Sequence, residues 1–290
     1  MGPTASGKSA WALEQAKKYN GSIINIDSVQ FYKDLIVGSA APTEDEKKQV
    51  PHYLYSYIEA PNEMTAGQFI RDFYELLENP KKSIKFPLFI VGGTGFYIQA
   101  LEKGMFDVQP IPEEFRKKIE QELQDKGAVQ LHSELLQKDP HSKIHVNDHY
   151  RLVRALEIIR FSGKTPSQLK DNQATNKNEF PFSYIKVGFD FEKDVLVKRV
   201  QQRTEAMVSG GIIAEVETKV KQGFSQWSAL QSVGYKETLE FLQSGQNKEW
   251  LTQAIQQSTM KLIKKQKTWF KRDSAILWSN QSEALAQFLS

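Results

Sequence analysis

Apolar residues recur along this chain with two periods, and their alternation predicts the elements of an α/β protein. Short apolar runs read as buried strands: Ser22-Ile23-Ile24-Asn25-Ile26-Asp27, Pro87-Leu88-Phe89-Ile90-Val91 and Tyr184-Ile185-Lys186-Val187-Gly188-Phe189. Trp11, Leu13 and Ala16 among polar residues mark a helix over residues 10–19, and helical spacing puts Phe69, Ile70, Phe73 and Leu76 on a helix over 65–78 that Pro80 closes. Phe96, Tyr97, Ile98 and Leu101 mark another helix after the second strand. Strands alternating with helices predict a parallel sheet flanked by helices.

From about 113 to 180 strand character disappears. Arg116, Ile119 and Leu123 mark one helix, Leu131, Leu135 and Leu136 a second, and Tyr150 to Phe161 a third, with Asn147 and Asp148 as caps. The expectation is a core of residues 1–112 and 181–290 with an all-helical insertion over 113–180. Residues 42–49 and 170–180 read as polar loop, and helices fill the chain after the last strand, broken at Gly210-Gly211, Gly223 and Gly234.

Composition removes several classes. With 290 residues, 40% hydrophobic and 25% charged, the chain has the make-up of an ordinary globular protein. It holds no run of 18 apolar residues and no charged-then-apolar leader, so a cytoplasmic protein without a membrane segment is expected. The absence of cysteine excludes disulfides and cysteine zinc sites. His141, His145 and His149 have helical spacing, but Pro140 and polar neighbours make a loop the better reading there than a metal site. A net charge of +3 does not by itself argue for nucleic acid, and the basic run Lys261 to Arg272 reads first as a solvated helix face.

The chemistry starts at Gly2-Pro3-Thr4-Ala5-Ser6-Gly7-Lys8-Ser9, which fits G-x-x-x-x-G-K-[ST]. Glycines let successive N–H groups curl inward, the lysine brings a mobile charge, the hydroxyl reaches a metal ion, and the helix that follows offers its positive end. Polyphosphate binding is the expectation. Only Met1 precedes the loop, where a buried strand of about five or six apolar residues is normal, so the sequence does not show the strand that would lead into it. Asp27 ends the first predicted strand on the edge where ligands of open parallel sheets bind, and the second strand runs into Gly92-Gly93-Thr94-Gly95. Arg151 and Arg154 share a face of the third inserted helix.

Six blocks in order resemble the tRNA dimethylallyltransferase (tRNA isopentenyltransferase) family, of the bacterial type without a zinc finger. They are the phosphate loop, Asp-Ser-Val-Gln-Phe-Tyr at 27–32, Gly-Gly-Thr-Gly-Phe-Tyr at 92–97, Asn-Asp-x-x-Arg-Leu-x-Arg-Ala-Leu-Glu at 147–157, Val-Gly-Tyr-Lys-Glu at 233–237 and Lys-Gln-x-x-Trp-Phe at 265–270. The resemblance implies a P-loop NTPase-like core and transfer of a dimethylallyl group from dimethylallyl diphosphate to N6 of adenine 37 in tRNA. It implies Asp27 as general base, Thr94 at the channel between the substrates, Lys236 as further charge for the diphosphate, and Mg²⁺ on Ser9. For the tRNA anticodon arm it implies Asp27, Ser28, Val29, Gln30 and Thr94, with Arg116, Tyr150, Arg151, Leu152, Val153 and Arg154 from the insertion; the enzyme is expected to be a monomer. The competing readings are a small-molecule or nucleoside kinase, an isopentenyltransferase for free adenine nucleotides, and a nucleotide-dependent RNA-binding module. An arginine-rich lid, as a kinase would need, is not evident in the sequence.

Overall fold

The computed structural model describes residues 1–105, 111–175 and 180–279, with the backbone alone for 171–175. The chain divides into two compact units, Met1–Ala100 with Phe182–Ser290, and Leu101–Pro181. The second unit thus starts twelve residues ahead of the expected 113, inside a helix.

In the first unit, α1 (Lys8–Lys18) grows directly out of the phosphate loop and buries Trp11, Ala12, Gln15 and Ala16. Strand β1 (Ser22–Asn25) is buried at every position. The capped helix α2 (Glu44–Gln49) follows, then β2 (His52–Tyr53), α3 (Ala66–Glu78), β3 (Leu88–Val91) and α4 (Gly95–Lys103). All pairings are parallel: β1 lies between β2 and β3, with Ile23 opposite both His52 and Phe89 and Asn25 opposite Val91. Helix α3 shows why spacing alone located it, for Phe69 and Phe73 are fully buried and Thr65 caps its start through the N–H of Gln68.

The second unit holds α5 (Glu113–Lys126), α6 (Ala128–Lys138), α7 (His149–Ser162) and α8 (Pro166–Thr175). Its core is built from Ile119, Leu131, Leu135, Leu152, Val153, Leu156 and Ile159. Arg160 reaches across three helices, bonding Glu122 at 2.8 and 3.1 Å and Glu134 at 3.1 and 2.7 Å. Those bonds, with help from Lys126, hold the Glu122 carboxyl down at about 2.

The chain returns to the first unit through β4 (Lys186–Phe189), α9 (Lys193–Ser209), α10 (Ile212–Lys221), a 3₁₀ turn at Ser228–Gln231, α11 (Tyr235–Ser244), α12 (Lys248–Phe270) and β5 (Ile276–Ser279). Strands β4 and β5 form a separate parallel pair, Lys186 opposite Ile276. Trp11 packs edge-on against Phe89 at 6.4 Å and Phe189 at 5.7 Å, so one indole on α1 ties both sheets under the loop.

Three expectations are corrected. Residues 44–49 are helix, not loop, because Thr43 and Glu46 form a reciprocal capping box. Residues 166–175 are helix because Thr165 and Gln168 do the same ahead of Pro166 at the first turn. The last described element is a strand, which four residues reveal only through their partner β4.

Candidate active site

The phosphate loop owes its shape to left-handed backbone at Gly7 (φ 81°) and Ala5 (φ 62°) and to Gly2 at φ 145°. Residues Thr4 to Ser9 line a cavity of about 850 Å³. Lys8 is half-buried and folds back so that Nζ donates to the Pro3 carbonyl at 3.3 Å. Burial pushes its pKa down to about 8; the Asp27 carboxylate opposes that shift and Arg203 adds to it. Ser6 Oγ is buried with no hydrogen-bond partner among the described residues, and the Ser9 hydroxyl is exposed on the cavity wall. An orphaned hydroxyl, an under-solvated ammonium and a helix N-terminus together make an anion cradle.

Asp27 follows the end of β1 and is braced by the buried side chain of Asn25. Asn25 Oδ1 accepts from the Asp27 N–H at 2.8 Å, and its amide donates to the carbonyls of Asp27 (3.2 Å) and Leu54 (2.9 Å). Asp27 Oδ1 accepts from the Val29 N–H at 3.1 Å, whereas Oδ2 has no donor among the described residues. The carboxylate therefore closes its own turn and still keeps a face open. Gly92 has to be glycine, since a Cβ there would stand 2.6 Å from the Ile26 carbonyl carbon. That close approach lays the Gly92–Gly95 turn beside Asp27, where Thr94 Oγ1 accepts from the Ser28 N–H at 3.0 Å and donates to Ser28 Oγ at 3.3 Å.

A second cavity, of about 340 Å³, lies on this side and is lined by Ser28, Val29, Thr94, Phe96, Lys265 and Trp269 among others. Thr4, Asp27, Ser39 and Arg203 line both cavities, which places Asp27 and Arg203 at their junction. Gln266 on α12 ties the walls together: its Oε1 accepts from the Thr4 N–H at 2.9 Å and its Nε2 donates to the Gly93 carbonyl at 3.0 Å. Trp269 fills the space that a Cβ on Gly95 would need.

Several expected site residues fall elsewhere. Lys236 is exposed on the first turn of α11 and lines neither cavity. The cations that join Lys8 at the first cavity are Arg199 and Arg203 from α9, with Gln202 between them, and the Arg199 guanidinium lies 4.1 Å over the Phe191 ring. Their i,i+4 spacing was the available sequence signal. Gln30 lines the first cavity, but its amide donors are spent on the carbonyls of Ser39 (3.0 Å) and Ala40 (2.9 Å), so it builds the wall.

In the helical unit, Leu152 is 0% and Val153 5% exposed, so their side chains are core and cannot grip a ligand. Tyr150, at 72% exposure, carries the Arg116 guanidinium 5.7 Å from its ring centre. Arg151 pairs with the Asp148 cap at 3.1 Å, both partners exposed or nearly so. Arg154 lies 2.8 Å from the buried Glu157 carboxylate, which Arg116 approaches at 3.9 Å; neither contact has hydrogen-bond geometry at Glu157 Oε2.

A parallel sheet with a phosphate loop at its carboxyl edge, facing a carboxylate between two cavities, defines a P-loop-type α/β enzyme. The IPP transferase family model matches residues 30–273. A tRNA dimethylallyltransferase of Bdellovibrio bacteriovorus is 44% identical over 290 residues, 99% of this chain and 94% of that one. A second, of Oceanobacillus iheyensis, is 34% identical over 96% of this chain and 88% of its own. Among solved structures, the full-length tRNA isopentenylpyrophosphate transferase of Bacillus halodurans superposes with a TM-score of 0.69 at 27% identity, over 99% of this chain and 93% of that one. The chain belongs to the IPP transferase family, and it is a prenyltransferase. The resemblance read from the six sequence blocks is borne out.

The depressed pKa of Lys8 has a measurable consequence. A free enzyme whose lysine titrates at about 8 must take up a proton to meet a polyanion above that pH, so inorganic diphosphate is expected to bind best below pH 8. Its affinity should then fall by up to roughly tenfold per pH unit above it. Lys8→Arg, permanently charged, should remove that limb. Calorimetric titrations from pH 7 to 9.5 check this, and equal slopes for both proteins would take Lys8 out of the anion contact.

Proposed function

We propose that this enzyme moves a dimethylallyl group from dimethylallyl diphosphate to N6 of adenine 37, beside the anticodon of its tRNA substrates, with Asp27 as the general base. The observation that carries the proposal is the position of Asp27 at the junction of the phosphate-loop cavity and the Thr94 cavity, with Oδ2 open. The names and high coverage of the relatives support tRNA as acceptor.

In this mechanism N6 attacks the allylic C1 as the C1–O bond breaks, the electron pair of that bond leaves with diphosphate, and the N6 proton passes to Asp27 Oδ2. An aromatic amine is a weak nucleophile because its lone pair is shared with the ring, so proton acceptance contributes about 10²- to 10⁴-fold. Lys8, Arg199 and Arg203 neutralise charge as it builds on the leaving oxygens, and the loop N–H groups of Ala5, Gly7, Lys8 and Ser9 cradle it. Thr94, Ser28 and Val29 line the side from which the base enters. A base in a stem-loop reaches such a cavity only after leaving its stack.

Mg²⁺ fits the site as a partner of the diphosphate. No group of three carboxylate, histidine or cysteine side chains among the described residues could hold a metal alone, and the exposed Ser9 hydroxyl suits an ion whose other ligands are phosphate oxygens and water. When bound, the ion adds charge neutralisation for the leaving group. The exposed Tyr150 and Arg151 and the half-buried Arg116 and Arg154 of the helical unit contact tRNA backbone. The enzyme acts as a cytoplasmic monomer; among the described residues no helix is long and apolar enough to cross a membrane.

Incubation with labelled dimethylallyl diphosphate and bulk tRNA should label the RNA, and label appearing on free adenine nucleotides instead would contradict the proposal. Asp27→Asn should cut single-turnover transfer by about 10²-fold or more while diphosphate affinity stays within a few-fold. Turnover close to wild type in that variant would remove the general base from Asp27. Arg151→Ala should weaken all substrate tRNAs alike and flatten log affinity against log salt by roughly 0.7, with stability changed by under about 0.5 kcal/mol. An unchanged salt slope would leave Arg151 with the Asp148 cap as its sole role.

A further inference from the structure

The α9–α10 pair is fastened to the loop at residues 36–40 from two directions. On one side, the Glu215 carboxylate of α10 accepts from three successive backbone N–H groups: Ile36 at 2.7 Å, Val37 at 2.6 Å and Gly38 at 3.3 Å. The fully buried Tyr235 completes this clamp, its hydroxyl donating to Glu215 Oε2 at 3.0 Å and accepting from the Ser39 N–H at 3.1 Å. Gly38 lies against the Tyr235 ring, so a Cβ there would stand 2.5 Å from a ring carbon. On the other side, the Ser39 carbonyl accepts from Arg203 Nη2 of α9 at 3.3 Å and from Gln30 Nε2 at 3.0 Å.

Three consecutive N–H groups aimed at one point form an anion-binding turn. Here the chain fills it with its own carboxylate, and a structural reason alone would be satisfied by any packed loop. What the clamp fixes is Ser39, whose carbonyl holds the one guanidinium that lines both cavities. Burial lowers the pKa of that guanidinium and the nearby Asp27 carboxylate opposes the shift, and its bond to the Ser39 carbonyl fixes one corner of a fork whose other donors face the cavities. A planar fork delivers its donors to an anion only when its plane is held, which a loop free to shift would not do.

We propose that Glu215 and Tyr235 are positioning residues for the transfer reaction: by locking the 36–40 loop they aim the Ser39 carbonyl and thereby set the Arg203 guanidinium for the leaving diphosphate. This rests on the reading of the first cavity as the diphosphate site. It assigns the Val-Gly-Tyr-Lys-Glu block at 233–237 a purpose through its tyrosine and not its lysine.

The test is a double-mutant cycle read by calorimetric binding of inorganic diphosphate and by single-turnover transfer. Glu215→Gln should weaken diphosphate about tenfold and slow transfer by a similar factor, with tRNA affinity unchanged. In an Arg203→Ala background the same change should alter either readout less than about twofold, because the group it acts through is gone. Tyr235→Phe keeps the ring packing and should show a smaller loss in the same direction, about three- to fivefold; it carries the cycle alone if Glu215→Gln does not fold. Wild-type diphosphate affinity in both variants, or losses that simply add to that of Arg203→Ala, would overturn the proposal. Wild-type affinity in Arg203→Ala itself would overturn the underlying assignment of the cavity, and the proposal with it.

Discussion

The site depends on the parallel register of β1 and β3. Setting Asn25 opposite Val91 brings the two strand ends level, and the absence of a side chain on Gly92 lets the following turn lie against the Ile26–Asp27 backbone. Asp27 and Thr94 are neighbours for that reason, though 67 residues apart. A substituent at Gly92, or a slip of one residue in the pairing, would part them. The buried Asn25 amide, bonded to both backbone groups of Asp27, then sets the carboxylate's direction without using its oxygens. The loop leading into α1 is held to the same frame by Trp11 beneath and Gln266 above.

Around this frame the charges are arranged unevenly. Two carboxylates, Glu14 and Asp27, share the wall of the first cavity with an ammonium and two guanidinium groups, and burial lowers the pKa of Lys8 and of Arg203. Cations that have lost water and lack full pairing are poised for a polyanion, which restores what folding removed. The second cavity is instead walled by aromatic and small residues, Phe96, Trp269 and the glycine turn, with Lys265 at its side. One side suits a small charged leaving group and the other a flat, weakly polar ring.

How much of this the sequence disclosed follows the range of each cause. The phosphate loop, Asp27 and the Gly92–Gly95 turn were legible because their chemistry is local: glycine where the backbone must approach, a carboxylate where a strand stops. Arg199 and Arg203 were missed because an arginine pair on a helix looks the same whether it faces solvent or a cavity, and only the placement of α9 decides. Lys236 was over-read from its motif; the structural weight of that block lies in Tyr235 and in Glu237, which accepts from the Gly234 N–H at 2.7 Å. Leu152 and Val153 sit among RNA-facing candidates in sequence yet point inward, since neighbours on a helix lie about 100° apart. Strand β5 needed its partner to exist, and α2 and α8 rest on capping pairs rather than on an apolar stripe.

In the proposed reaction Asp27 stands between the two substrates and receives the amine proton. A crystal structure with an anticodon stem-loop and inorganic diphosphate tests it most directly. Diphosphate should lie on the loop at Lys8, with the adenine N6 within about 2.6–3.2 Å of Asp27 Oδ2. An N6 atom held by another side chain, with Asp27 out of hydrogen-bond reach, would contradict it.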